Sequence, residues 1–293
     1  MIHATGSKKF NIKIINDKII LNGERAGIRE SGVLENVDDR AVYEVIQVKN
    51  GAPLFLQAHI DRMRQSTAVC GRPLRRSDAA IQDDIRRLME WAPRPRINVK
   101  LMLRRIQGRD LFFVFQIVSR YPEPGLYETG VPVILFSGER DAPQVKSVKN
   151  ALRNRVAAEL EKTGAWEALL VNREGFITEG SRSNVFFSDG KGLVTPPSGT
   201  VLIGVTRKYV MAACRRTGID VRERPVHSSE LSSGFSGMFL TGTSIDVLPV
   251  ARVDEKETGS ARDEIIRRAA EAYREEVTRY IGDFAYREKT AAG

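Results

Sequence analysis

Residues 167–187, EALLVNREGFITEGSRSNVFF, set three apolar segments of strand length within twenty-one residues, each cut off by turn-forming residues. EALLVN and GFITEG read as strands. SNVFFSDGKGLVTP reads as a hairpin with its turn at Asp189-Gly190. Helical periodicity lies on either side of this block. Before it, 148–162 carries Val148, Leu152, Val156 and Leu160 at a spacing of four, and after it 206–217 is amphipathic. A sheet with helices close by in sequence places the chain in the mixed α/β (α+β) class.

The amino-terminal part has the same mixture. Residues 10–22 read as an isoleucine-rich hairpin turning at Asn16-Asp17, and 23–40 as a polar loop. AVYEVIQVKN reads as a strand over 41–50, followed by a turn at Asn50-Gly51 and a short return strand from Pro53 to Leu56. A helix follows from Gln57 to Cys70, and a second, capped by Ser77, carries Ile81, Ile85, Leu88 and Met89. Residues 97–106 and 111–119 are strands joined through Gly108. The segment YPEPGLYETG, 121–130, holds two prolines and two glycines and reads as a linker. This gives a smaller domain over 1–120 and a larger one over 131–293. Short strands near 221–224, 238–241 and 246–250, then a charged helix from Ala261 to Tyr280, complete the second.

Composition narrows the functional classes. With 293 residues, 42% of them hydrophobic, the chain supports one large or two ordinary cores. No apolar run approaches the length of a membrane span, and MIHATGSKKFNIKIIND has no apolar stretch of signal-peptide type. Cys70 and Cys214 have no metal-type or CxxC spacing and read as buried free thiols in a reducing cytoplasm. The formal net charge is +9, but the basic residues are dispersed through RPLRR, RPR, LRR and ACRR. That dispersal argues against a nucleic-acid partner and suits anionic small molecules. No histidine or acid cluster has metal-ligand spacing, and GxSxG, P-loop and GxGxxG patterns are absent.

The residues that suggest chemistry lie mainly between 145 and 206. Lys146 precedes an amphipathic helix, and a lysine becomes a nucleophile where it is desolvated or set near other cations. Glu179 lies between the apolar runs GFI and NVFF. Gly204-Val205-Thr206 opens a helix whose first amides are placed for an anion. Thr241-Gly242-Thr243-Ser244 is a second turn of glycine and hydroxyls, and Arg62 in HIDRM offers a guanidinium fork for a phosphate.

Taken in order, VYEVIQVKNG, HIDRM, VKSVKN, EALLVNREGFITEGSRSNVFF, GVTRKYV and FLTGTSIDVLPV resemble the class IV aminotransferases, the fold-type IV pyridoxal phosphate enzymes. The resemblance implies two α/β domains with the cofactor between them, usually in a homodimer. It implies that Lys146 bonds the cofactor and moves the proton, that Glu179 faces the pyridine nitrogen, and that Arg62, Val205, Thr206 and Thr243 hold the phosphate. Tyr43 matches the aromatic residue on the substrate side. Lys149 is the alternative nucleophile. Arg29, Arg104 and Arg182 are candidates for the substrate carboxylate. VYEV and VKS lean towards transamination of D-amino acids. LTGTS leans towards the branched-chain enzymes, and an aminodeoxychorismate lyase comes third. A non-catalytic, polyanion-binding protein on the same fold is the reading from outside the enzyme class.

Overall fold

The computed structural model describes residues 14–28, 41–140, 143–146 and 150–292. These form two units. The first comprises the described residues up to Ser119 together with Val145 and Lys146, and the second comprises the rest from Arg120 onward.

The first unit is a six-stranded sheet. Its strands are β1 (Ile14–Leu21), β2 (Glu24–Gly27), β3 (Val42–Lys49), β4 (Ala52–Pro53), β5 (Arg96–Ile106) and β6 (Arg109–Ile117), in the order β2-β1-β6-β5-β3-β4. Every pairing is antiparallel. Helices α1 (Leu56–Val69) and α2 (Asp78–Trp91) pack on one face, where Val42, Ile46 and Val48 meet Ile60, Met63, Ile81 and Ile85. The opposite face carries Tyr43, Met102, Phe113 and Phe115. The alternation of β3 therefore separates two chemically distinct surfaces. Ser77 caps α2, its hydroxyl accepting from the Ala80 amide at 3.2 Å.

One turn differs from the sequence expectation. Asn16-Asp17 is not a turn, since β1 runs through it. The chain reverses instead at Asn22-Gly23, with φ of 50° and 97°. Two successive left-handed residues match the right-handed twist of the flanking strands, and Asn-Gly reaches them at least cost. Asp17 bonds the Ile28 amide at 2.9 Å, and Lys18 donates to the Trp91 carbonyl at 2.8 Å, so both polar residues are used within the strand.

The second unit opens with a short helix, α3 (Leu126–Thr129), within the segment read as a linker. Strands β7 (Val131–Ser137), β8 (Glu167–Val171), β9 (Phe176–Gly180), β10 (Asn184–Ser188), β11 (Leu193–Thr195), β12 (Val221–Glu223), β13 (Val226–His227), β14 (Gly237–Gly242) and β15 (Asp246–Val253) form a mixed sheet in the order β12-β11-β10-β14-β15-β7-β8-β9-β13. Strand β16 (Lys256–Glu257) pairs on β15. Helix α4 (Asn150–Thr163) packs Val156 against Ala168 and Leu170 of β8, while Leu169 faces Ile177 and Val185 in the opposite core. β8 is thus buried on both faces, which is why EALLV is a continuous apolar run rather than an alternating one. Helices α5 (Val205–Arg216) and α6 (Glu264–Ala292) pack on each other and on β14. Cys70 and Cys214 are free, and burial raises the Cys214 thiol to about 11, so it is chemically quiet. Among the described residues no helix is long and apolar enough to cross a membrane.

Phe186 and Phe239 are fully buried partners across β10 and β14, stacked with ring centroids 4.9 Å apart. Phe239→Ala leaves a cavity at the centre of that sheet and should cost about 3–5 kcal/mol of stability, read from the denaturant midpoint. A loss below about 1 kcal/mol would mean that the stack is not a core element.

Candidate active site

In the first unit the helix face of β3 carries an acid. Glu44 is inaccessible to solvent and holds Arg62 of α1 in a two-pronged ion pair, Nε to Oε1 at 2.8 Å and Nη2 to Oε2 at 2.7 Å. His59, one turn earlier, places Nδ1 2.8 Å from the same Oε2. Burial alone would raise the Glu44 carboxyl, but the Arg62 charge and the hydrogen bonds from Arg62 and His59 outweigh it and hold the group well below its ordinary 4.5. Burial lowers His59 from its ordinary 6.5, overcoming the pull of Glu44, so the neutral ring donates its Nδ1 hydrogen. Glu44 fixes one edge of the Arg62 guanidinium and thereby the direction of the rest.

The other face of β3 carries Tyr43, and Lys146 lies beside it. The Tyr43 amide donates to the Lys146 carbonyl at 3.1 Å, and the Lys146 amide donates to Ser66 Oγ at 3.3 Å. Lys146 Nζ lies 5.4 Å from the centre of the Tyr43 ring. The lysine is half-buried and tied through its main chain to β3 and α1. Arg104, buried on β5, is on this face too, its strand neighbour Leu103 belonging to the helix-side core. Arg29 and Lys149 lie outside the described residues.

In the second unit Glu179 is buried at the end of β9. Its Oε2 accepts from the Leu202 amide at 3.2 Å and from Asn184 Nδ2 at 3.5 Å. Arg140 Nε lies 2.8 Å from Oε1, a charge contact, and Arg140 Nη2 donates to the Ser181 carbonyl at 2.7 Å. The turn after Glu179 is set by Glu167, which is also buried. Glu167 accepts from Ser181 Oγ at 2.5 Å, Ser183 Oγ at 3.1 Å, and the amides of Ala168 and Arg182 at 2.9 and 3.2 Å. The Arg182 side chain is exposed and donates to the Trp166 carbonyl at 3.2 Å.

Gly204 precedes α5 in extended backbone, and no side chain caps the helix. The helix's first internal bond runs from the Lys208 amide to the Gly204 carbonyl at 3.0 Å, so the amides of Val205, Thr206 and Arg207 lie outside its ladder. A Cβ at Gly204 would fall 2.0 Å from Asn184 Oδ1, so a larger residue would have to displace the Asn184 amide. Thr206 is buried and hydrogen-bonded to Tyr273 of α6, which leaves its hydroxyl capacity for a second bond. Thr243 is half-buried in the turn between β14 and β15. Thr241 stands opposite Asn184 in the β10–β14 register, is 1% exposed, and has no hydrogen-bond partner for its hydroxyl. A buried hydroxyl without a partner, uncapped amides and a close backbone approach at Gly204 lie together with a buried carboxylate. That donor set fits a phosphorylated aromatic cofactor with a basic ring nitrogen.

Glu44, Glu167, Arg140 and Thr241 were not singled out as individual site residues by sequence reasoning. Glu44 left a signal, an acid in the inward-facing register of Val42, Ile46 and Val48. Arg140 left none, because its partner is far along the chain.

Residues 41–253 match the family described as amino-transferase class IV, and the chain belongs to that family of pyridoxal phosphate-dependent transaminases. A D-alanine aminotransferase of Bacillus licheniformis is 27% identical over 263 residues, covering 83% of this chain and 90% of that protein. A probable branched-chain-amino-acid aminotransferase of Thermotoga maritima is 31% identical over 224 residues, covering 73% and 78%. The branched-chain amino acid aminotransferase of Escherichia coli has the same fold, with a TM-score of 0.78 at 21% identity, over 89% of this chain and 95% of the other.

The Glu44 cluster makes a prediction about acid stability. Glu44 has a depressed carboxyl, so its contribution is complete above about pH 4.5 and drains away as pH falls below that value. His59 is kept neutral, so its contribution is complete above about pH 6.5 and also declines as pH falls. Glu44→Gln should cost about 3–5 kcal/mol at neutral pH by removing the carboxylate that pairs with Arg62, and should flatten the acid limb of a urea-midpoint profile. Parallel profiles for the two proteins would show that Glu44 is not the group responsible.

Proposed function

We propose that the chain moves an amino group between an amino acid, of D configuration by preference, and a 2-oxo acid, with Lys146 as the reactive amine. The observation that carries this reading is the position of Lys146, half-buried against Tyr43 and pinned on both sides of its peptide, in a chain of the class IV family.

Bound pyridoxal phosphate supplies the electron sink that lets a hydrogen on the reacting carbon leave as a proton. The protein supplies the rest. Lys146 Nζ is the amine that would bond the cofactor at rest and, once the substrate amine has displaced it, would act as the base that takes the proton from the substrate α-carbon. Glu179 is the carboxylate for the ring nitrogen, held by Leu202, Asn184 and Arg140. Arg62, the amides at Val205 and Thr206, and Thr243 would hold the phosphate, and Tyr43 would line the substrate side. Substitution of this fixed set of dipoles for water is the main source of rate.

The preference for D-amino acids is supported by the VYEV segment around Tyr43 and by the match to a D-alanine aminotransferase over 83% of this chain. A branched-chain L-amino acid transaminase is the second reading, supported by the Gly242-Thr243 turn and by relatives of that name. A homodimer in a reducing cytoplasm is the expected setting, and light scattering on the eluted protein should give twice the chain mass.

Absorbance of the protein with added pyridoxal phosphate tests the reading. A visible band should form in the parent and be missing from Lys146→Ala, and D-alanine should bleach it where L-leucine does not. Bleaching by L-leucine alone would make the second reading correct. A band persisting in Lys146→Ala would remove Lys146 from its role.

A further inference from the structure

Glu179 has a cation against one of its two oxygens. Oε2 accepts from the Leu202 amide at 3.2 Å and from Asn184 Nδ2 at 3.5 Å, both neutral donors. Oε1 lies 2.8 Å from Arg140 Nε. That contact is one of charge, since Nε makes no aligned hydrogen bond, and it takes up no acceptor position on Oε1. Arg140 is anchored separately, its Nη2 donating to the Ser181 carbonyl at 2.7 Å, in the turn that Glu167 folds back. Glu179 is buried and the Arg140 side chain is 21% exposed, so water screens the pair little. Arg207, in the first turn of α5, is buried as well, and its charge also acts on Glu179. The acid thus feels one cation from the loop after β7 and another from α5, all within the second unit.

The next step rests on the reading above in which Glu179 faces the ring nitrogen of pyridoxal phosphate. A carboxylate there holds a proton on the nitrogen through its negative charge. A guanidinium against the same carboxylate cancels part of that charge and repels the proton as well. We infer that Arg140 is a positioning residue that acts through Glu179, weakening its hold on the ring-nitrogen proton and so setting the strength of the electron sink. Arginine suits the task because it stays charged when buried, so its effect does not vary with pH. A weaker sink leaves more of the work of moving the substrate proton to the base, Lys146.

The test compares pyridoxal phosphate with its carbocyclic analogue, in which a ring carbon replaces the nitrogen while the aldehyde, hydroxyl and phosphate are kept. Dissociation constants for both are measured by equilibrium dialysis at neutral pH, and their ratio isolates the ring nitrogen. The parent should prefer pyridoxal phosphate. Arg140→Met should raise that preference by about tenfold, the scale of one charge removed from beside a buried pair. Arg140→Gln, which removes the charge but keeps an amide for the Ser181 carbonyl, should raise it likewise. Arg140→Lys, which keeps the charge, should stay near the parent's ratio. An unchanged or lower ratio in Arg140→Met and Arg140→Gln would overturn the inference, including the case where both ligands weaken by the same factor, the mark of a purely structural role in the turn. A ratio in Arg140→Lys as high as in Arg140→Met would also overturn it, since shape and not charge would then be responsible. Glu179→Gln separates this inference from the reading beneath it and should abolish the parent's preference. No preference in the parent, or its survival in Glu179→Gln, would remove Glu179 from the ring nitrogen. A preference lost in Glu179→Gln but untouched in both Arg140 variants would overturn the role of Arg140 alone.

Discussion

Glu44 has no access to water, and a carboxylate in that position must gather a cation and hydrogen-bond donors or lose its charge. It takes Arg62 and His59 from one helix and so fixes the rotation of α1 against β3. Glu167 applies the same constraint in the second unit, where the demand of a buried acid for donors folds the 180–183 turn back on β8. Glu179 is the third. Its two oxygens are shared between a main-chain amide, an asparagine and an arginine, none of which is its sequence neighbour. The polar architecture follows from these acids, and the apolar layers around them set how little water they see.

The two faces of β3 divide the work. One side chain, Glu44, points at the helices and holds Arg62 rigid. The preceding one, Tyr43, points the other way and contacts two lysines. A strand alternates by geometry, so adjacent residues serve separate purposes without competing for space. A one-residue slip of β3 would exchange Glu44 and Tyr43 and abolish both arrangements together.

Much of this was legible in the sequence because local pattern determines it. The strands around Leu169, Phe186 and Leu101, the Ser77 cap and the Asp189-Gly190 hairpin follow from side-chain periodicity and turn chemistry. The amino-terminal hairpin was misplaced because Asn16-Asp17 is polar, yet φ above zero at two successive residues favours Asn22-Gly23. The reading of Lys146, Glu179 and Gly204 as site residues rests on a family resemblance, since each alone is an ordinary lysine, turn acid or helix start. Arg140 was not legible in its structural role. Its significance comes from a partner brought close by loop closure, a distance that linear spacing does not encode.

Residues 145 and 146 belong with the first unit, while the chain immediately before them and the helix after them belong with the second. The polypeptide thus visits the first unit twice. The two units are consequently not separable cassettes. A fragment ending at Ser119 lacks Lys146, and one beginning at Arg120 carries Lys146 without the Tyr43 amide and the Ser66 hydroxyl that hold its main chain. Recombination between relatives at the apparent boundary near 120 would preserve both folds and still hand each lysine a foreign cradle, so the natural unit of inheritance is the whole chain.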